Sequence, residues 1–220
     1  MAGYTTTITN AAKLALMSAI HCLFAPVTKT GVSGVNGAYT LTGLTDTSGI
    51  AVGMSAAGSA VAAGAVVASV DSGTQVTVSK PHTGTITSQA ITFTGDVIKA
   101  VLLKPSPTGT YDKTTTAYSD ITGNSDEVSG TGYTAGGLAL TNNAPALSTD
   151  TAVADFVDAS WTSATLSARA LALVNTTRRG ATDKPVISIH DFGGTQTVTS
   201  GTFSVIWPTP DASNGIIRLS

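Results

Sequence analysis

From Val27 onwards the chain is a succession of short β-prone runs cut by glycine, proline, asparagine and aspartate, a texture that restricts it to a mainly β fold. Tyr39–Leu44, Ala65–Val70 and Gln75–Ser79 alternate or are rich in β-branched residues. Asp71-Ser-Gly-Thr74 between the last two reads as a hairpin turn. Val97–Leu103 is continuously apolar enough for a core strand closed by Pro105. Further strands are expected at Leu138–Leu140, Val153–Val157, Ala164–Val174, Val186–His190, Thr195–Val198, Thr202–Ile206 and Ile216–Leu219. Their short, regular spacing is that of an antiparallel sandwich or barrel. Ala168–Leu173 has the composition of a helix as well, so Leu166–Val174 is ambiguous on propensity alone; a strand is the preferred reading.

One helix is expected, over Thr9–Phe24. Thr9 or Asn10 can cap it, Leu14, Met17, Ile20, His21 and Phe24 fall on one face, and Pro26 stops it.

Charged residues make up only 11% of the 220, against about 25% in an ordinary soluble domain. A neutral surface of short Thr, Ser, Gly and Ala side chains suits dense packing against other subunits, although small monomeric β domains tolerate it too. The net charge of −2 argues against binding a phosphate backbone, which needs a basic face. The single cysteine, Cys22, allows neither an intrachain disulfide nor a cysteine zinc site; its expected place is the buried face of the first helix, with a reactive thiol as the alternative. Leu14–Ala25 lacks the preceding positive charge and the cleavage region of a signal peptide, and no apolar run reaches the ~20 residues of a membrane span. A product made in the cytoplasm and kept whole is expected.

Little chemistry is legible. His21, His82 and His190 show no metal-ligand spacing. His190-Asp191 is the best acid/base pair, but neighbours on a strand point to opposite faces. Gly130–Gly136 has the wrong glycine spacing for a dinucleotide loop and reads as a backbone device across which Tyr133 packs. Asp150, Asp155 and Asp158 do not fit an EF-hand, which leaves a loop calcium site as the alternative to plain surface acids. Arg178, Arg179 and Lys184 form the one basic cluster, either a solvated turn or an ion-pair contact with an acidic neighbour. Trp161 is expected in the core, whereas Trp207, flanked by Pro208 and Pro210, fits core or interface equally. No catalytic, cofactor or metal residue is assigned.

The segment Asp126-Glu-Val-Ser-Gly-Thr-Gly-Tyr-Thr-Ala-Gly-Gly137, with the ending Asn214-Gly-Ile-Ile-Arg-Leu219 and the start Thr9–His21, resembles a family of small virion proteins of tailed bacteriophages encoded among head and tail genes. Residues Gly49–Thr74 resemble a small all-β module that recurs as an insertion in phage virion and bacterial surface proteins; a long Gly/Ala-rich loop is the alternative. The resemblance implies a jelly-roll-like antiparallel β-sandwich with an N-terminal helix, formed by residues 1–26 and 96–220, into which a β module of residues 27–95 is inserted. It implies a non-enzymatic structural protein on the capsid exterior, a decoration or cement protein, whose partners are the major capsid protein and neighbouring copies of itself. A neck, head-fibre or tail-fibre component that touches the host surface is the alternative. Neither nucleic acid nor membrane is an expected partner.

Overall fold

The structure, a computed structural model, describes residues 3–10, 12, 21–177 and 183–219. It is mainly β, built from several antiparallel sheets. The chain runs through β1 (Gly3–Tyr4), β2 (Thr7–Ile8), β3 (Val27–Gly34), β4 (Thr40–Leu41), β5 (Ser55–Ala57), β6 (Val67–Ser72), β7 (Gln75–Val78), β8 (Ile86–Thr94), β9 (Ile98–Leu103) and β10 (Thr110–Tyr111). Then follow a short helix, α1 (Tyr118–Gly123), and β11 (Leu138–Ala139), β12 (Ala146–Ser148), β13 (Thr151–Ala154), β14 (Ala159–Asn175), β15 (Val186–Val205) and β16 (Ile217–Leu219).

These elements form two compact units, one of Cys22–Asp96 with Asn142–Pro145 and the other of the remaining chain. In the first, two three-stranded sheets, β3-β8-β5 and β4-β7-β6, close on one core. Val32, Leu41, Val76, Ile91 and Phe93 are completely buried there, because alternate residues of each strand turn to the same side. The β6–β7 hairpin closes through Gly73-Thr74, with Ser72 opposite Gln75, at the turn expected there. The two ends of the long segment meet. Asp96 N donates to Cys22 O at 2.6 Å, Cys22 N donates to an Asp96 carboxylate oxygen at 3.0 Å, and Asn142 Nδ2 donates to Asp96 O at 3.0 Å.

The second unit holds a five-stranded sheet of order β11-β9-β14-β15-β2 and a three-stranded one of order β12-β13-β16. β14 explains its own burial pattern. Its first half alternates, with Trp161, Ala164, Leu166 and Ala168 buried between exposed residues, whereas Ala170–Asn175, flanked by β9 and β15, is almost wholly buried. Pairing on both sides outweighs the helix propensity of Ala168–Leu173 and makes it a strand. Val101, Leu103, Tyr111, Ile121, Val186 and Ile189 complete the core on this sheet.

Two expectations are corrected. The three strands expected between Val186 and Ile206 are one strand, β15, because Gly193-Gly194 and Ser200-Gly201 make bulges rather than turns. Gly193 and Ser200 take φ values of 77° and 52°, and the register against β14 shifts near both. Of the helix expected over Thr9–Phe24, Asn10 and Ala12 are helical and Ala12 N donates to the Thr9 hydroxyl at 3.1 Å, residues 11 and 13–20 lie outside the described residues, and His21–Pro26 are not helical, so the helix does not reach Phe24. The Cys22 backbone is committed to Asp96 instead of to the preceding turn. The helix α1 is one that the sequence patterns do not signal.

Phe93→Ala removes the largest side chain of the first unit's core and is expected to cost about 3–5 kcal/mol, read from the shift of the urea midpoint at unchanged slope.

Candidate functional site

The Gly-rich segment that dominates the sequence is built around two adjacent acids. Asp126 is completely buried, and its carboxylate accepts from Thr108 N at 2.8 and 2.9 Å, Gly109 N at 2.8 Å and Tyr111 OH at 2.7 Å, with Lys104 Nζ at 2.7 Å. Burial pushes its pKa up, but the Lys104, Gly109, Thr108 and Tyr111 hydrogen bonds outweigh that and hold it down at about 2. Glu127 points elsewhere and gathers Tyr118 OH, Tyr133 OH at 2.7 Å and Gly136 N at 2.6 Å. Tyr133 OH in turn accepts from Leu102 N at 3.2 Å. Burial first, and the Glu127 hydrogen bond second, raise the Tyr118 and Tyr133 phenols well above their ordinary range, so both stay protonated donors.

The glycines fit this clasp to the sheet. Asp126–Val128 runs along β9, with Lys104 N donating to Asp126 O and Val128 N donating to Leu102 O. Where β9 ends, the loop crosses to β14, and Thr131 bridges Thr165. A Cβ at Gly132 would lie 2.8 Å from Ala164 Cα, and one at Gly137 2.4 Å from Ala100 O; both glycines have φ near 78°. Tyr133 then packs on Trp161, whose ring meets Phe203 edge-on at 5.9 Å. Trp161 is therefore a core residue, and the polar groups of Asp126 and Glu127 are consumed in holding the fold.

The ending Asn214–Leu219 lies in a different place. Together with β2 and β15 it borders a cleft of about 430 Å³, lined by Thr6, Ile8, Ser188, His190, Trp207 and Arg218 among others. His190 Nε2 is 2.8 Å from Ser188 Oγ and its ring meets Trp207 edge-on at 5.5 Å. Burial lowers the His190 pKa to about 4, so the ring is neutral at pH 7. Ser188 is fully buried at the base of this pair. Asp191 faces away, paired with Arg169 at 2.7 and 3.2 Å, so the His190-Asp191 pair is split between the two faces of the strand. Trp207 is half-buried against Phe156 and His190, and its Nε1 is shielded from solvent with no acceptor.

The other singled-out residues are dispersed. Asn175 Nδ2 lies 2.9 Å from His21 Nδ1, and His82 Nε2 donates to Thr40 O at 3.0 Å. Cys22 is buried. Asp158 accepts from Trp207 N at 2.8 Å, Asp150 is exposed, and no group of three or more metal-donor side chains occurs among the described residues. Arg178 and Arg179 lie outside the described residues; Lys184 sits over the Tyr118 ring. The surface feature that sequence reading missed is a row in register across β12, β13 and β16. Leu147 faces Ala152, Ala152 faces Leu219, and the two leucines are 72% and 47% exposed. Only the pairing reveals it, since Leu219 is far in sequence from Leu147 and Ala152. Comparison with family models, with curated proteins and with solved structures gives no match.

Asp126→Asn removes the charge but keeps the shape, and is expected to cost about 3–5 kcal/mol by chemical denaturation. It also removes an acid transition, because the stability that Asp126 contributes is complete above the ordinary carboxylate range and is lost as pH falls towards about 2. His190 acts at higher pH. Between its ordinary value of 6.5 and about 4 the unfolded chain binds a proton that the folded one refuses, so stability falls as pH falls through that window. A His190→Gln variant is expected to flatten this slope in melts taken from pH 7 to pH 4.

Proposed function

We propose that the protein is a non-enzymatic structural component of a tailed-phage particle, a decoration or cement protein on the outside of the head that binds the major capsid protein and neighbouring copies of itself. The observation that carries this reading is the exposed row of Leu147, Ala152 and Leu219 on a short sheet, in a chain with few charges. Docking of such a row on a capsid removes apolar area from water at little desolvation cost, and repetition over a lattice multiplies a weak contact. The likeness of Asp126–Gly137 and Asn214–Leu219 to phage virion proteins supports the particle context. In the same reading, residues 1–26 and 96–220 form a β-sandwich virion domain with an N-terminal helix, and residues 27–95 are a module inserted into it.

A second reading, a neck, head-fibre or tail-fibre component that contacts the host surface, is favoured by the cleft beside Trp207 and Arg218. Copy number separates the two, since a shell protein matches the capsid protein in abundance and a neck or tail component forms a small ring.

The purified protein is expected to co-sediment with expanded capsids, Leu147→Asp to abolish this without changing the melting temperature, and particles lacking the protein to lose infectivity on heating sooner than wild type. Failure of the wild-type protein to bind capsids overturns the decoration role.

A further inference from the structure

We propose that the cleft between the β2–β15 face and the chain ending binds an acidic saccharide, with Arg218 meeting its carboxylate. Three features of the lining point to this class of ligand. First, Arg218 is the one charged residue among the described residues that line the cleft, and none of those residues is a carboxylate, although the chain as a whole is acidic. Its Nη1 is held by Ala212 O at 2.8 Å, which fixes the side chain and leaves the other guanidinium N–H groups for a planar anion. Asp211 is the nearby acid that lowers this potential. Its carboxylate lies outside the lining and already accepts from Ser213 N, Asn214 N and Asn214 Nδ2.

Second, the remaining polar groups are neutral and suit hydroxyls. Thr6, Thr7, Thr151 and Asn214 contribute to the walls, and the neutral His190 adds no competing charge. Third, Trp207 supplies an aromatic wall and a donor. Its backbone is anchored by Asp158, its ring is wedged against Phe156 and His190, and its Nε1 has no acceptor. A shielded indole N–H without an acceptor is unfavourable, and a ligand oxygen brought beside it would satisfy it. The volume of about 430 Å³ is within the range of small-ligand sites and holds one or two sugar rings. A purely apolar ligand leaves the guanidinium unmatched, and a phosphate backbone finds one cation where it needs a row of them.

The site is independent of capsid docking, which uses the row on β12, β13 and β16, so either can fail alone. The test is titration of the full chain with trigalacturonate, its methyl ester, neutral galactotriose and acetate, followed by tryptophan fluorescence and calorimetry. Trigalacturonate is expected to bind, with the ester and the neutral sugar weaker by about tenfold or more. Arg218→Gln is expected to abolish that difference and Arg218→Lys to retain part of it. Trp207→Phe keeps an aromatic face but removes the indole N–H, and is expected to weaken binding of the acidic sugar as read by calorimetry. Arg218 is exposed, so its variants leave the fold intact; equal thermal melts check this. No binding of trigalacturonate overturns the proposal, as does unchanged binding by Arg218→Gln. Acetate binding as tightly as the sugar overturns the saccharide assignment.

Discussion

A single buried carboxylate organises the second unit. Asp126 draws the backbone of Thr108 and Gly109, the Tyr111 hydroxyl and the Lys104 ammonium to one point, so the end of β9, the start of β10 and the turn after α1 converge on two oxygen atoms. An ionised group in so dry a place is tolerable only with its acceptor sites filled. Here they are filled by donors from separate stretches of chain, which fixes those stretches relative to one another. Tyr4, stacked on Tyr111 at 5.7 Å, extends the arrangement to the first strand.

Glu127 continues the same logic on the other side of the backbone. Because Asp126 and Glu127 are adjacent in a strand-like segment, their side chains diverge and serve two separate clusters. One holds Lys104 at the end of β9 against the start of β10; the other ties α1, through Tyr118, to the Gly-rich loop and through Tyr133 to Trp161. The glycines matter because the loop backbone passes directly over Ala164 and Ala100, where a side chain has no space.

Sequence patterns showed much of the β content, because alternation and turn residues are local signals. Leu138–Ala139, the β6–β7 hairpin and the core run of β9 stand where those signals put them. The breaks inside β15 misled, since a glycine pair that makes a bulge and one that makes a turn look alike until the partner strand is known. The pattern Asp126–Gly137 is visible in the sequence as unusual and as a backbone device, whereas the seating of Tyr133 on Trp161 depends on a distant strand. The two-way division of labour between Asp126 and Glu127 was hidden, because its partners are spread from Leu102 to Gly136. The cleft was hidden for the same reason: Thr6, His190 and Arg218 come from three distant parts of the chain.

The closure of the first unit by Cys22 and Asp96 has a mechanical consequence. Its entry and exit strands are tied by two reciprocal hydrogen bonds, with Asn142 as a third fastening. Tension pulled along the polypeptide on either side therefore passes across this short bridge and bypasses the six strands behind it. The bridge acts as a fuse: those strands bear load only after it has parted.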